Sequence, residues 1–320
     1  MLARTADHLF WMARYTERAE NTARMLDVSM QTALLPQSEQ SAQLLWGGML
    51  GICELQAPYE ARHGAVAARD VIDFMVCDPS NPSSIHSCLF AARENARAVR
   101  GVLSTEAWET INSTWLELRE RLRGRAMERN PGQVFEWVKY RSHLAHGVMI
   151  GTMPSDEGMC FNRLGVFLER SDNTARILDV KYHALAERGV SDAEENGQRV
   201  DFYHWAAILR SVSAFEVYRR AYSDVITPAR VAELLVLRPD MPRSLLNCMS
   251  EVDANLERVR NSQSAETERL VGQLQSELRY SRIDNILQEG LHAFLTRFLA
   301  RVNHLGDRIS RDFLVPLSVA

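Results

Sequence analysis

The stretch ERAENTARMLDV, residues 17–28, returns as ERSDNTARILDV at residues 169–180. Nine of the twelve positions are identical, and the other three pairs are conservative: Ala19/Ser171, Glu20/Asp172 and Met25/Ile177. Unrelated segments share about one position in twelve by composition, so an internal duplication is the expected origin. Leu9, Met12, Thr16, Ala19, Ala23, Leu26 and Met30 follow a three–four spacing that lines one helix face. The second copy keeps the register with Phe161, Leu164, Leu168, Ser171, Ala175, Leu178 and Tyr182. Small residues at the middle of each face (Ala19 and Ala23, Ser171 and Ala175) let another helix come close. The repeated unit is therefore a long amphipathic helix.

The same periodicity runs through most of the chain, and strand alternation is nearly absent. The breaks are helical punctuation. In CDPSNPSS (77–84), Asn81 is a candidate N-cap with Pro82 at the first helical position. Ser104 or Thr105 can cap the next helix, and Thr227-Pro228 has the form of another start. NPGQ (130–133), the acidic loop after Gly189 and RPDMPRS (238–244) separate further helices, and residues 281–314 read as one long terminal helix. The expected fold is an all-α helical bundle of roughly ten to twelve helices with an internal duplication. The copies begin about half a chain apart, which suggests a first half at 1–152 and a second at 153–320 within one compact unit.

Apolar residues make up 46% of the 320 positions, enough for a sizeable core, and the net charge of -4 argues against a nucleic-acid binder. Lys139 and Lys181 are the only lysines, so arginine carries the positive charge. Guanidinium forks suit carboxylate or phosphate pairing. Five scattered cysteines without CxxC spacing read as reduced thiols. No apolar run is long enough for a membrane span, and Arg4, Asp7 and His8 stand where a signal peptide needs an apolar core. The expected location is cytoplasmic.

Glu17, Asn21 and Arg24 share one helix face, about 100° around from the apolar stripe. Glu169, Asn173 and Arg176 repeat them. This position borders the core and is expected to be half-buried. The spacing also offers i,i+4 pairs (Glu20–Arg24, Asp172–Arg176) and i,i+3 pairs (Arg24–Asp27, Arg176–Asp179). The plain interpretation is an ion-pair ladder; the functional one is a polar pocket where the two copies meet. Glu60/His63 and Glu289/His292 have Glu-x-x-His spacing, but two such pairs are close to chance and no metal site is expected. His143 and His146 in SHLAH lack a zincin arrangement and read as structural. WGGMLG (46–51) reads as close helix packing, and Trp46, Trp108, Trp115, Trp137 and Trp205 as core or interface anchors. No P-loop, dinucleotide fingerprint or GxSxG elbow is present, so no cofactor is expected.

HLFWMARYTERAENTARMLDV and FNRLGVFLERSDNTARILDVKYH resemble the bacterial alpha-E family, named for helices carrying a Glu-Arg motif. NPSSIHSCLFAARENARAVRGVLSTEAWETIN, GTMPSDEGMCFNRLG and RPDMPRSLLNCM fit its pattern too, so the resemblance covers nearly the whole chain. The Glu-Arg pairs fall on Glu17-Arg18 and Glu169-Arg170, whereas Ala13 and Val166 stand where the family often has Gly and Arg. The resemblance implies genes beside, or fused to, an ATP-grasp-like ligase, with transglutaminase-like proteases and a proteasome-related peptidase nearby. The expected role is a helical accessory or co-catalytic partner of an amide-bond ligase, not catalytic alone. The alternatives are a stand-alone enzyme using the Glu/Asn/Arg cluster and a structural scaffold. Candidate binding or motif residues are Glu17, Arg18, Asn21, Arg24, Glu169, Arg170, Asn173 and Arg176.

Overall fold

A computed structural model describes residues 1–34, 39–123, 126–186, 194–223 and 225–314. Every regular element among them is a helix. The first eight are α1 (Ala3–Ala33), α2 (Glu39–Ile52), α3 (Gln56–His63), α4 (Ala68–Val76), α5 (Ile85–Ala98), α6 (Thr105–Arg123), α7 (Ala126–Arg129) and α8 (Pro131–Thr152). The next eight are α9 (Glu157–Ala186), α10 (Glu194–Ser211), α11 (Phe215–Tyr222), α12 (Pro228–Leu237), α13 (Leu245–Val259), α14 (Ala265–Tyr280), α15 (Ile283–Glu289) and α16 (Leu291–Phe313).

The all-α class follows the periodicity, but there are more segments than the ten to twelve expected. The surplus is short: α3, α7, α11 and α15 hold 8, 4, 8 and 7 residues. Such segments cannot show a full 3.6-residue pattern. The expected terminal helix over 281–314 is split at Gly290, whose φ of 104° suits a residue without Cβ. Thr227 caps α12 and Pro228 opens it, as the Thr-Pro pair predicts. Ser104 accepts from the Ala107 N–H at the start of α6. At α5 the cap is Ser84, not Asn81. Asn81 instead builds the preceding turn, donating to the Phe74 carbonyl and accepting from the Ser83 N–H. Gly47 and Gly51 face open space, so close packing does not explain those two glycines of WGGMLG. The expected stop at Gly189 lies outside the described residues.

α1 and α9 lie side by side. Contacts advance together along both, from Met1 with Glu157 to Phe10 with Gly165 to Glu17 with Arg170, so the two helices run in the same direction. They approach closely at Gly165, where a Cβ would sit 2.3 Å from the Phe10 carbonyl oxygen. α5 and α8 pack on α1, and α13 and α16 on α9. One apolar core runs through both sets, with Leu9, Ala23, Leu26, Leu164, Ala175 and Leu178 fully buried. Trp46, Trp115 and Trp205 are buried, and Trp108 and Trp137 pack against the core.

Small structural devices recur in the two halves. Glu54 and Ser213 end α2 and α10 with φ of 57° and 55°. The Tyr59 and Tyr218 hydroxyls each clasp the loop that follows, accepting from the Ala67 and Thr227 N–H groups. Ser84 and Ser244 cap α5 and α13. Cys88, Cys160 and Cys248 are buried and all five cysteines are free thiols. No helix among the described residues is long and apolar enough to cross a membrane.

Candidate functional site

Successive residues on a helix point about 100° apart, so Glu and Arg within one Glu-Arg motif face different directions. Across the α1–α9 contact they meet reciprocally. Arg18 donates Nε to Glu169 Oε1 at 2.5 Å and Nη2 to Oε2 at 3.1 Å. Arg170 donates Nε to Glu17 Oε1 at 2.9 Å. Each glutamate then takes a second arginine. Arg14, stacked over Trp11, donates to Glu169 Oε2 at 2.8 Å. The matching residue in the second copy is Val166, which has nothing to donate. Arg243, from the turn between α12 and α13, serves Glu17 instead. Its Nη1 donates to Glu17 Oε1 (2.6 Å) and Asn21 Oδ1 (2.9 Å), and its Nη2 to Glu20 Oε1 (2.7 Å).

In the first copy the polar stripe is deeper than the expected half-buried border, whereas Arg176 of the second is half-buried as expected. Glu17 and Glu20 are 0% exposed, Asn21 2% and Arg24 9%, because α8, α9 and the Arg243 turn cover them. Both i,i+4 pairs form: Arg24 donates to Glu20 (2.8 Å) and Arg176 to Asp172 (2.7 Å). The i,i+3 pairs do not, since Lys139 takes Asp27 and His292 takes Asp179. Ser142 donates to Glu20 Oε2 at 2.6 Å, and Arg24 Nη2 reaches His143 Nε2 at 3.0 Å. Burial pushes the Glu169 carboxyl up, but Arg18 and Arg14 outweigh it and hold it at about 2. Glu17 and Glu20 stay below the ordinary carboxylate range for the same reason: Arg170 and Arg243 beside the first, Arg243 and Arg24 beside the second, overcome burial. Burial lowers His146 despite the nearby Glu17, so its ring is neutral at neutral pH.

Glu17, Glu20 and His146 place their donor atoms within 4.8 Å of one another, close enough to grip a metal ion. Their surroundings do not suit one. Arg24, Arg170 and Arg243 already occupy the carboxylates, and a dication would sit among three guanidinium groups. The two Glu-x-x-His pairs make no metal site either: Glu60 accepts from Gln56, Glu289 pairs with Arg297, and His292 pairs with Asp179. Around Glu17, three buried atoms have no hydrogen-bond partner among the described residues: Glu17 Oε2, His146 Nε2 and Asn21 Nδ2.

The opposite side of the α1–α9 contact is open. A cleft of about 220 Å³ is lined by Arg18, Asn21, Thr22, Glu169, Asp172, Asn173 and Arg176, with Cys53, Glu54 and Ser83 along its rim. Five of the eight candidate residues, Arg18, Asn21, Glu169, Asn173 and Arg176, border this cleft. Glu17, Arg24 and Arg170 are held in the network around Arg243 instead. The cleft offers donors and acceptors of both signs. Glu169 is far too acidic and the arginines far too basic to exchange protons near neutrality, where an efficient acid or base needs its pKa. Sequence reading missed Ser142 and Arg243. The available signal for Arg243 was the turn in which it sits, Pro242-Arg243-Ser244 beside Pro82-Ser83-Ser84.

The sequence pattern of the Alpha-E family, described as a predicted alpha-helical domain with a conserved ER motif, matches residues 1–314. An uncharacterized protein of Mycobacterium bovis is 26% identical over 99% of this chain. Uncharacterized proteins from two strains of Mycobacterium tuberculosis are 26% and 25% identical over the same share. The chain spans 37% of the length of each of these relatives. No solved structure matches the chain.

Proposed function

The chain belongs to the Alpha-E family, and on that premise we propose that it is a helical binding partner of an ATP-grasp amide-bond ligase acting in peptide synthesis or modification. In this reading the halves 1–152 and 153–320 are copies of one eight-helix unit, and the cleft at their junction holds a peptide or amino-acid substrate while the partner activates a carboxylate with ATP. The observation that carries the proposal is the cleft itself: motif residues of both copies, charged and held in fixed ion pairs, surround an opening in which Glu169 is held strongly acidic and Arg18 and Arg176 strongly basic. Fixed charged groups orient a substrate and leave the bond-making to another protein. Two facts agree with a partnership: the chain carries no nucleotide-binding signature, and its relatives continue well beyond the matched region.

The test is reconstitution with an ATP-grasp protein of the kind the family resemblance places in the neighbouring gene. The chain alone is expected to leave ATP intact. With the partner it is expected to co-elute on size exclusion and to support ATP-dependent amide formation from an amino-acid mixture. Asn173→Leu, which alters the cleft without removing an ion pair, is expected to keep the complex and lower turnover. Substrate turnover by the chain alone, or failure of the two proteins to associate, overturns the proposal.

A further inference from the structure

The groups that hold Arg243 have counterparts 152 residues further on. Glu17, Glu20 and Asn21 bind its guanidinium. Their counterparts Glu169, Asp172 and Asn173 all line the open cleft. Arg243 has a counterpart as well. It lies between Pro242 and the cap Ser244, in a turn where Ser244 N–H donates to the Met241 carbonyl and Cys248 Sγ contacts the Pro242 carbonyl. The turn before α5 is built alike: Ser84 N–H donates to Asn81, and Cys88 Sγ contacts Pro82. The residue in Arg243's place is Ser83, and Ser83 also borders the cleft.

We propose that this cleft is a guanidinium socket, taking the side chain of an arginine residue in a peptide ligand where Ser83 leaves the position of Arg243 unfilled. The proposal rests on the reading of the cleft as a substrate site and names the class of substrate. Size agrees. About 220 Å³ exceeds the ~30 Å³ share of one water and falls short of a drug-sized pocket, so it suits a single side chain. Charge agrees too. On the filled side Glu17 and Glu20 face Arg24, Arg170 and Arg243, one positive charge in excess. On the open side Glu169, Asp172 and Glu54 balance Arg14, Arg18 and Arg176. A ligand cation brings the open side to the same excess. Glu54 is the added acid: it stands exposed at the rim, where the other half has Ser213.

Calorimetric titration of the full chain with N-acetyl-arginine amide, its citrulline analogue and its lysine analogue tests this. Citrulline keeps the shape and loses the charge. The arginine probe is expected to bind, with the citrulline probe at least about tenfold weaker because charge-assisted bonds are lost. Lysine, a point charge without the fork, is expected to fall between them. Ser83→Arg is expected to raise Tm and abolish binding by filling the socket from within. Glu54→Gln is expected to weaken arginine binding, and it carries the test if Ser83→Arg does not fold. Equal binding of arginine and citrulline probes, lost in Ser83→Arg, overturns the guanidinium assignment while leaving the cleft as the substrate site. No binding of the arginine probe at millimolar concentration also overturns it, and the ligase reconstitution then judges the broader proposal separately.

Discussion

Arg243 lies 226 residues from Glu17 and 223 from Glu20, yet its guanidinium joins both and is only 6% exposed. Arg243→Ala would leave two buried carboxylates short of a cation, so a loss of about 3–5 kcal/mol is expected. Arg311→Ala, at an exposed position, should stay within about 0.5 kcal/mol. Urea unfolding of both variants checks the contrast. Glu169 gives a pH prediction. Its folded carboxyl titrates at about 2 against an ordinary 4.5, so the unfolded state binds the proton more readily and stability rises with pH in that window. The contribution, on the order of 3 kcal/mol, is complete above pH 4.5 and fades as pH falls toward 2. Glu169→Gln should flatten that limb of the stability–pH curve, measured by urea midpoints across the acid range. The Glu-Arg motif was legible because it occurs twice with one spacing. Arg243 was not: it occurs once, in a turn, opposite a serine. The burial of Glu17 was equally hidden, because helical periodicity places a residue on a face and says nothing of what a distant turn lays over it.

The α1–α9 contact shows what helix patterning does and does not give. Three–four spacing over Leu9–Met30 and Phe161–Tyr182 identified both helices, and the small residues on their faces indicated a close neighbour. The repeated stripe already pointed to a place where the two copies meet, and α1 and α9 do pack together; that they run the same way needed the crossed ion pairs. Short helices such as α7 left no pattern, and Gly290 looked like one small residue in a helix until its positive φ divided the terminal segment. The glycines make a paired prediction. At Gly165 a methyl group would meet the Phe10 carbonyl at 2.3 Å, and backbone cannot yield as a side-chain tip can. Gly165→Ala should therefore force the two helices apart and cost about 1–3 kcal/mol or more. At Gly147, in the middle of α8, a Cβ meets nothing within 4 Å. Gly147→Ala should stabilise by roughly 0.5–1 kcal/mol through backbone entropy alone. Opposite shifts in thermal midpoint support the packing described here; a neutral Gly165→Ala would refute the close approach.

At the scale of the molecule the question is whether either half is a folding unit. Each half has its own long helix with two helices packed on it, which alone would favour independence. The ion pairs argue the other way. Within residues 1–152, Glu17 would lose both of its arginines, Arg170 and Arg243, along with the helix and turn that cover it. Within residues 153–320, Glu169 would lose Arg14 and Arg18 together. The face that carries Leu9 and Leu26 in one half, and Leu164 and Leu178 in the other, belongs to a shared core and would meet water. Lost apolar burial and stranded charge add in the same direction, and a typical domain has only about 5–15 kcal/mol to lose. Residues 1–152 and 153–320 expressed separately should therefore be unfolded or molten, with weak near-ultraviolet circular dichroism and broad melting. Co-expressed, they should associate and regain a cooperative transition. Adding Arg243→Ala to the second fragment should weaken that association, since this residue joins the Arg243 turn to α1 across the cut. Two fragments that each melt cooperatively alone would show that the crossed Glu-Arg pairs decorate a contact between finished domains instead of completing one core.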